Sequence, residues 1–249
     1  MACGPGNEME KVQRRVDLVM AKEDKLQKGQ DLLAAAPIYP LILREFAPGS
    51  IAIHNVPAGT CISDAANEGY HILYLLEGTI KVWSLSNRGK RVLLDEVRAM
   101  SFCGHISRLQ GHCFDSNLVT HTRCSYLEFT DEQFLRLMEH SDFALEFYRS
   151  TSKRAYYMFH KFLGLSLFTA EENTAMYCTL HPERLSAYTL DQISEEIGIS
   201  RRSLCYTLNH WRKQGIIEKK RNKYEIVDFD ALRQLASQIQ LFYHRPSSV

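Results

Sequence analysis

The sequence predicts an α+β chain in three successive textures: a strand-rich N-terminal half, a long helical stretch, and a compact C-terminal unit of two helices and a hairpin. Three observations predict it. From about 41 to 130, short runs of Ile, Val, Leu, Tyr and Thr alternate with turn signals. From 131 to 181, no proline and one glycine interrupt a helical pattern. From 189 to 227, helix caps, apolar spacing and a basic hairpin follow one another.

A chain of 249 residues, 45% apolar and 24% charged, can bury a sizeable core, which excludes a disulfide-stapled miniprotein and a disordered tail. Apolar runs such as 72–76 end quickly, here at Glu77 and Gly78, so no membrane span is expected. Seven cysteines, at 3, 61, 103, 113, 124, 178 and 205, fit neither a disulfide framework nor a Cys-x-x-Cys pair. The first residues lack the basic and apolar regions of a secretory signal. A reducing, cytoplasmic setting is expected. The formal charge of +1, from 30 basic and 29 acidic residues, argues against a strongly basic nucleic-acid binder until its distribution is read.

Residues 1–40 read as an N-terminal helical segment, with Val12, Val16, Val19, Met20, Leu26 and Leu33 at loosely helical spacing until Pro37 and Pro40 stop the pattern. Residues 41–130 carry turn signals at 47–50, 56–59, 77–78 and 87–89, which predicts an antiparallel sandwich or barrel. Thr130-Asp131-Glu132 caps a helical region expected over 131–181, since a Thr oxygen takes free backbone N–H groups and acids suit the positive helix end. That region holds more large apolar and aromatic residues than one thin sheet can cover. A long dimerisation helix is therefore expected to pack against a second copy of itself through Phe147, Arg154, Met158 and Leu165; burial within one chain is the alternative.

Residues 182–249 are expected to be a winged helix followed by a tail. A short helix capped by Thr189 ends at Gly198, where positive φ is cheap, and a second starts at Ser200 and runs to about Gln214. Leu190, Ile193, Ile197, Ile199, Leu204, Leu208 and Trp211 lock the two at an angle, which is a helix-turn-helix. Residues 216–220 and 224–227, around a turn at 221–223, form the wing. Between 199 and 224 stand eight basic residues and one acid, a net +7, while the remainder holds 22 basic and 28 acidic residues, a net −6. The near-neutral total therefore conceals a basic face suited to the phosphates of duplex DNA.

Helix residues 200–212 are expected in the major groove, with Ser200 at the cap, Arg201 and Arg202 reading bases, and Ser203 and Tyr206 beside them. Thr189, Lys219, Lys220 and Lys223 are expected on backbone phosphates. The alternative is an interaction module whose winged helix binds a protein.

From about 40 to 228 the chain resembles the bacterial Crp/Fnr transcription regulators. The resemblance rests on Phe46-x-Pro48-Gly49-Ser50, Gly59 and the run from Leu73 to Val82, which look like early strands of a cyclic-nucleotide-binding-type β-roll, and on Leu190–Ser203 with Gly215-Ile-Ile, similar to the family's DNA-reading motif. It implies a homodimer on a palindromic site, a signal received in the roll and passed through the long helix, and RNA polymerase as a partner. Cyclic-nucleotide-binding members clamp ribose and phosphate with a Phe-Gly-Glu step and an Arg-Ser pair. Here Phe102-Cys103-Gly104-His105 puts histidine in the carboxylate's place, and the pair falls on Phe114-Asp115. The sequence therefore speaks against cyclic AMP. It also speaks against an iron-sulfur cluster, because Cys3 is the only cysteine before Cys61.

The effector stays unidentified. Candidates to line its pocket are His71, Cys103, His105, Phe114, Asp115 and Arg123. The pairs Cys103/His105, His112/Cys113 and His121/Cys124 could answer to a metal or a redox signal, although a strand cysteine is usually a small buried hydrophobe. No His-x-His, Gly-x-Ser-x-Gly, phosphate-binding loop or His-Glu-x-x-His is present, so catalysis is not expected.

Overall fold

The structure, a computed structural model, describes residues 31–63, 72–85, 89, 91–111, 116–221 and 223–243. The expected helices before residue 31, and His71, His112, Cys113, Phe114 and Asp115, lie outside the described residues. The described residues group into two compact units, one drawn from 31–80, 97–111 and 118–150, the other from 81–96, 116–117 and 151–243.

Helix α1 (Tyr39–Glu45) begins with Pro40 in its first turn, where a missing N–H costs nothing. The strands β1 (Ala52–Val56), β2 (Cys61–Ser63), β3 (Ile72–Glu77), β4 (Thr79–Leu85), β5 (Arg91–Arg98), β6 (Ser101–Cys103), β7 (Asn117–Thr120) and β8 (Cys124–Phe129) follow, with the short helix α2 (His105–Gln110) between β6 and β7. They form two four-stranded sheets, ordered β1-β8-β3-β6 and β2-β7-β4-β5. The first is antiparallel, with Tyr74 opposite both Leu127 and Phe102. The antiparallel β-roll expected for 41–130 is thus present.

Gly78 makes the β3–β4 turn possible. Its φ is +95°, and a Cβ there would lie 2.3 Å from the Arg123 carbonyl oxygen and 2.7 Å from Cys124 Sγ. Only glycine fits both the backbone and the space.

Helix α3 (Asp131–Met138) starts at Thr130, whose side chain accepts the Gln133 N–H while Gln133 returns to the Thr130 N–H. Helix α4 (Ser141–Leu167) is 27 residues long. The helical stretch expected over 131–181 is in fact three helices, because Thr169 and Glu172 form a second capping box that starts α5 (Ala170–Leu180). In the first unit, Phe102 is fully buried with Tyr74, Phe143 and Phe147 at ring distances of 4.8, 5.8 and 5.0 Å, all edge-on. Such edge-to-face pairs add to the burial of large apolar area, and they bind the start of α4 to the roll.

The second unit contains α6 (Arg184–Ala187), α7 (Leu190–Ile197), α8 (Arg201–Gln214), a β9 (Ile217–Lys220)–β10 (Lys223–Ile226) hairpin and α9 (Phe229–Tyr243). Trp211, Leu204, Leu208 and Ile193 are fully buried with Ala175 and Cys178 of α5 and Leu232 and Ala236 of α9. The expected C-terminal tail is therefore a helix over most of its length. Asp228 accepts the Ala231 N–H at its start, and Leu232, Ala236 and Ile239 are buried along one stripe. Among the described residues no helix is long and apolar enough to cross a membrane.

Candidate nucleic-acid interface

Local rules set the geometry of the helix-turn-helix. Thr189 Oγ1 accepts the Gln192 N–H at 3.3 Å, and Gln192 Oε1 accepts the Thr189 N–H at 2.9 Å, so α7 opens on a capping box. Gly198 ends α7 at φ +95°, and Ser200 Oγ takes the Ser203 N–H at 3.0 Å to open α8. Ile193, Ile197, Leu204, Leu208 and Trp211 pack beneath the turn, as the sequence predicts.

The outer face of α8 presents Arg201, Arg202, Tyr206, Asn209 and His210 to solvent, with Ser203 half-buried among them. Tyr206 is 77% exposed, which for a tyrosine on a packed helix leaves its ring and hydroxyl available to a partner. Arg202, Ser203, Tyr206 and His210 form one wall of an open cleft of about 420 Å³, and Thr169, Ala170 and Glu171 at the start of α5 form the other. Glu171 is held by Trp211 Nε1 at 2.8 Å. This neighbour was missed in the sequence, although Thr169-x-x-Glu172 is a visible helix-start signature.

Two expected DNA contacts carry internal partners. Arg201 pairs with Asp191 at 2.5 Å across the helix-turn-helix, and that hydrogen bond holds its guanidinium above its ordinary value. Lys220 sits between Glu218 at 2.7 Å and Glu225 at 2.6 Å, whose hydrogen bonds raise its ammonium. Glu225 lies one residue beyond the basic window, and the hairpin register Glu225↔Glu218 delivers it to Lys220. The wing is therefore less positive than counting along the chain suggests. Lys219 lies over the Tyr224 ring at 5.8 Å, and Lys223 is exposed.

The four residues expected on a self-packing face of α4 do not form one outward stripe. Phe147 is 7% exposed in the aromatic core of the first unit, and Arg154 is bound to Asp95. Leu165 lies 3.0 Å from where a Cβ on Gly198 would stand, and Met158 is half-buried. The exposed residues of α4 include Leu145, Tyr148, Ala155, Phe159, Phe162 and Ser166, with Ser152 half-buried on the same line, and Tyr156, Tyr157 and Leu167 beside that line. Along that line from Leu145 to Ser166 the spacing alternates three and four, as it does along coiled-coil seams. The chain's own core claims the stripe that carries Phe147.

In the roll, His105 opens α2 after Gly104, and its ring meets Phe147 edge-on at 5.5 Å. Cys103 and Cys124 are buried, and burial pushes the Cys124 thiol up. His121 stands in the bend before β8, and Arg123 is exposed in the same segment. Among the described residues no group of three or more His, Cys, Asp or Glu is placed to hold a metal ion.

An antiparallel β-roll, a long helix and a capped helix-turn-helix with a wing define the architecture of a DNA-binding regulator. The cyclic nucleotide-binding domain family matches residues 53–141, and the Crp-like helix-turn-helix domain family matches residues 167–235. With both domains in this order, the chain belongs to the Crp/Fnr family of transcription regulators, and its helix-turn-helix is a DNA-binding domain of that type. A sequence search of curated proteins finds no match.

Several solved structures share the fold. A Crp/Fnr-family protein from Eubacterium rectale superposes with a TM-score of 0.64 at 16% identity, covering 80% of this chain and 93% of its own. A CRP-family regulator from Thermus thermophilus gives 0.58 at 17% identity, covering 74% and 96%. The c-di-GMP-responsive regulator CLP of Xanthomonas campestris gives 0.58 at 15% identity, covering 71% and 93%. At such identities the likeness concerns the fold.

Proposed function

We propose that the protein is a homodimeric, sequence-specific regulator that inserts residues 200–212 into successive major grooves of a palindromic site. Residues 41–130 act as sensor, 131–181 as the helical region that joins two copies, and 182–249 as the DNA-binding part. The observation that carries this reading is the single exposed face of α8 on which Arg201, Arg202, Ser203 and Tyr206 stand together, above Ser200 at the cap. Arg202 and Tyr206 read bases, and Arg201 does so after exchanging Asp191 for guanine or phosphate. Thr189, Lys219 and Lys223 hold backbone phosphates, and Lys220 adds to them to the extent that Glu218 and Glu225 release it.

The two-fold partner sits along the Leu145–Tyr148–Phe159–Phe162 seam, whose exposed aromatic rings a second copy would cover. The protein acts by binding and not by catalysis, in the cytoplasm, with RNA polymerase as its working partner.

The signal enters the roll, and it is not cyclic AMP. His105 packs on an aromatic ring where relatives place a ribose-binding carboxylate, which favours an apolar or weakly acidic effector over an anionic nucleotide. Native mass spectrometry of protein purified without oxygen reads the bound species directly.

Selection from random duplex DNA with the purified protein tests the whole reading. A palindrome with half-sites about one helical turn, roughly 34 Å, apart is expected. An Arg202→Ala variant should relax preference at one base position by about 1–3 kcal/mol. If no palindrome emerges at any salt concentration, the reading fails.

A further inference from the structure

The second unit buries an unusual concentration of charge away from the DNA-facing side of α8. The Glu196 carboxylate in α7 has a side chain only 2% exposed, and its Oε1 accepts Lys81 Nζ of β4, itself 6% exposed. Its Oε2 accepts the Tyr177 hydroxyl at 2.6 Å and Arg184 at 2.9 Å. Arg184 also reaches Glu96 of β5 at 3.5 Å. The Glu196 carbonyl accepts Lys161 Nζ of α4 at 2.8 Å, and the same ammonium donates to the Leu93 carbonyl of β5 at 2.5 Å. Beside these, Arg91 of β5 holds Glu195 at 2.6 and 3.0 Å.

The last turn of α7 is thus held by polar groups of β4, β5, α4, α5 and α6. Burial pushes the Glu196 carboxyl up, but hydrogen bonds from Lys81 and Tyr177 outweigh it and keep the carboxyl below its ordinary value. It is a true carboxylate among cations.

Apolar residues of the same volume would hold two surfaces together at lower cost. A buried ion cluster supplies one geometry, because losing any member leaves the others charged, buried and unpaired. Such a cluster is either wholly made or wholly broken. Glu196 is at the end of the helix that supports α8, immediately before the Gly198 turn. Its cationic partner Lys81 belongs to the β4–β5 hairpin, whose residues 81–96 group with the second unit.

We propose that Glu196, Lys81, Tyr177 and Arg184 form a charge interlock that holds the helix-turn-helix to the β4–β5 hairpin in its DNA-reading arrangement, so that the hairpin sets the affinity for DNA. Glu196 is a positioning residue, since it is buried and touches no nucleic acid. Its effect runs through the fraction of molecules in the competent arrangement, by which the apparent affinity is scaled. The affinity part of the proposal rests on the DNA-binding reading above; the interlock itself does not.

The test uses the full chain with Lys81→Met, Glu196→Gln, the double variant, and Tyr177→Phe as a milder change should Glu196→Gln fail to fold. Binding to the selected operator is read by fluorescence anisotropy, and backbone hydrogen exchange is read in parallel. Each of the first two single variants is expected to weaken operator binding about tenfold, with the double variant no weaker than the worse single, because the first loss already opens the cluster. Exchange should rise together at 81–96 and 190–198 while α8 around Leu208 and Trp211 stays protected. A general packing defect would instead loosen α8 as well, and that result overturns the proposal. So do unchanged affinity, additive losses, tighter binding, or exchange that rises in only one of the two segments. If the wild-type chain binds no duplex at all, the DNA reading fails, while the paired exchange response still decides whether the interlock exists.

Discussion

Replacing Phe159 by alanine should separate the dimer without unfolding the chain. The ring is 68% exposed in one copy, and it lies on the outward seam between Ala155 and Phe162. A phenylalanine side chain offers about 200 Å² for burial, so the partner would cover about 130 Å² of it. At about 25 cal/mol per Å² that is about 3 kcal/mol per copy. The alanine methyl keeps a small part, which leaves about 5 kcal/mol for the two-fold pair, or between three and four powers of ten in the dimer constant.

Sedimentation equilibrium of wild type and Phe159→Ala across a concentration series measures this directly, and operator binding should become strongly concentration-dependent in the variant. Phe147→Ala is the contrasting case. Its ring packs at 5.0 Å from Phe102 and 5.1 Å from Phe134 inside the first unit, so the change should cost about 3–5 kcal/mol of folding stability and leave self-association of the folded chain intact. A Phe159→Ala protein with the wild-type dimer constant, or one in which Phe147→Ala alone dissociates the dimer, would refute the assigned face.

Three further outcomes follow from particular contacts. Glu225→Gln removes one of the two carboxylates holding Lys220, so it should tighten binding to all DNA sequences and steepen the salt dependence by up to about one charge, read from affinities at about 50 to 200 mM salt. Gly198→Ala places a Cβ 3.0 Å from Leu165 Cδ1 at φ +95°, and about 2 kcal/mol of backbone strain plus displacement of Leu165 should appear as a lower urea midpoint. Burial depresses the Lys161 ammonium to about 8, below its unfolded value. The folded chain therefore binds fewer protons than the unfolded one between about pH 8 and 10.5, and stability should rise with pH there relative to Lys161→Met. The gain is about 3 kcal/mol, and a flat difference between the two proteins over that window would remove Lys161 from the buried cluster.

The relatives give these features a setting without supplying their details. Both domain families match, yet the solved structures that share the fold do so at 13–17% identity, which leaves room for every contact that sets affinity to differ.

The winged helix was legible residue by residue, because the forces that shape it are local. Thr189 needs only Gln192 three positions on, Gly198 and Gly215 need only a left-handed backbone at a helix end, and Ser200 needs only the Ser203 N–H. The roll was legible as a class for a related reason: alternating strands and turn residues leave few architectures open. The break at Thr169 and the helix α9 were also written locally, as a capping box and a stripe of Leu232, Ala236 and Ile239, although the long apolar stretch before one and the chain end near the other obscured them.

Other features depended on where distant segments meet. Helix α4 is apolar on more than one stripe, so its pattern announces a buried helix but not which stripe the chain's own core occupies; Phe102 and Gly198, far away in sequence, make that choice. Charge behaves the same way. In the sequence Glu196 resembles its neighbour Glu195, and Lys220 resembles Lys219. Burial against Lys81 and the cross-strand approach of Glu225 separate them, because an ion's role is set by the dielectric and the partners around it, and both are properties of the folded chain. Helix ends and turns are thus decided within a few residues, while self-association, charge pairing and coupling between elements are decided by the tertiary structure that brings remote groups together.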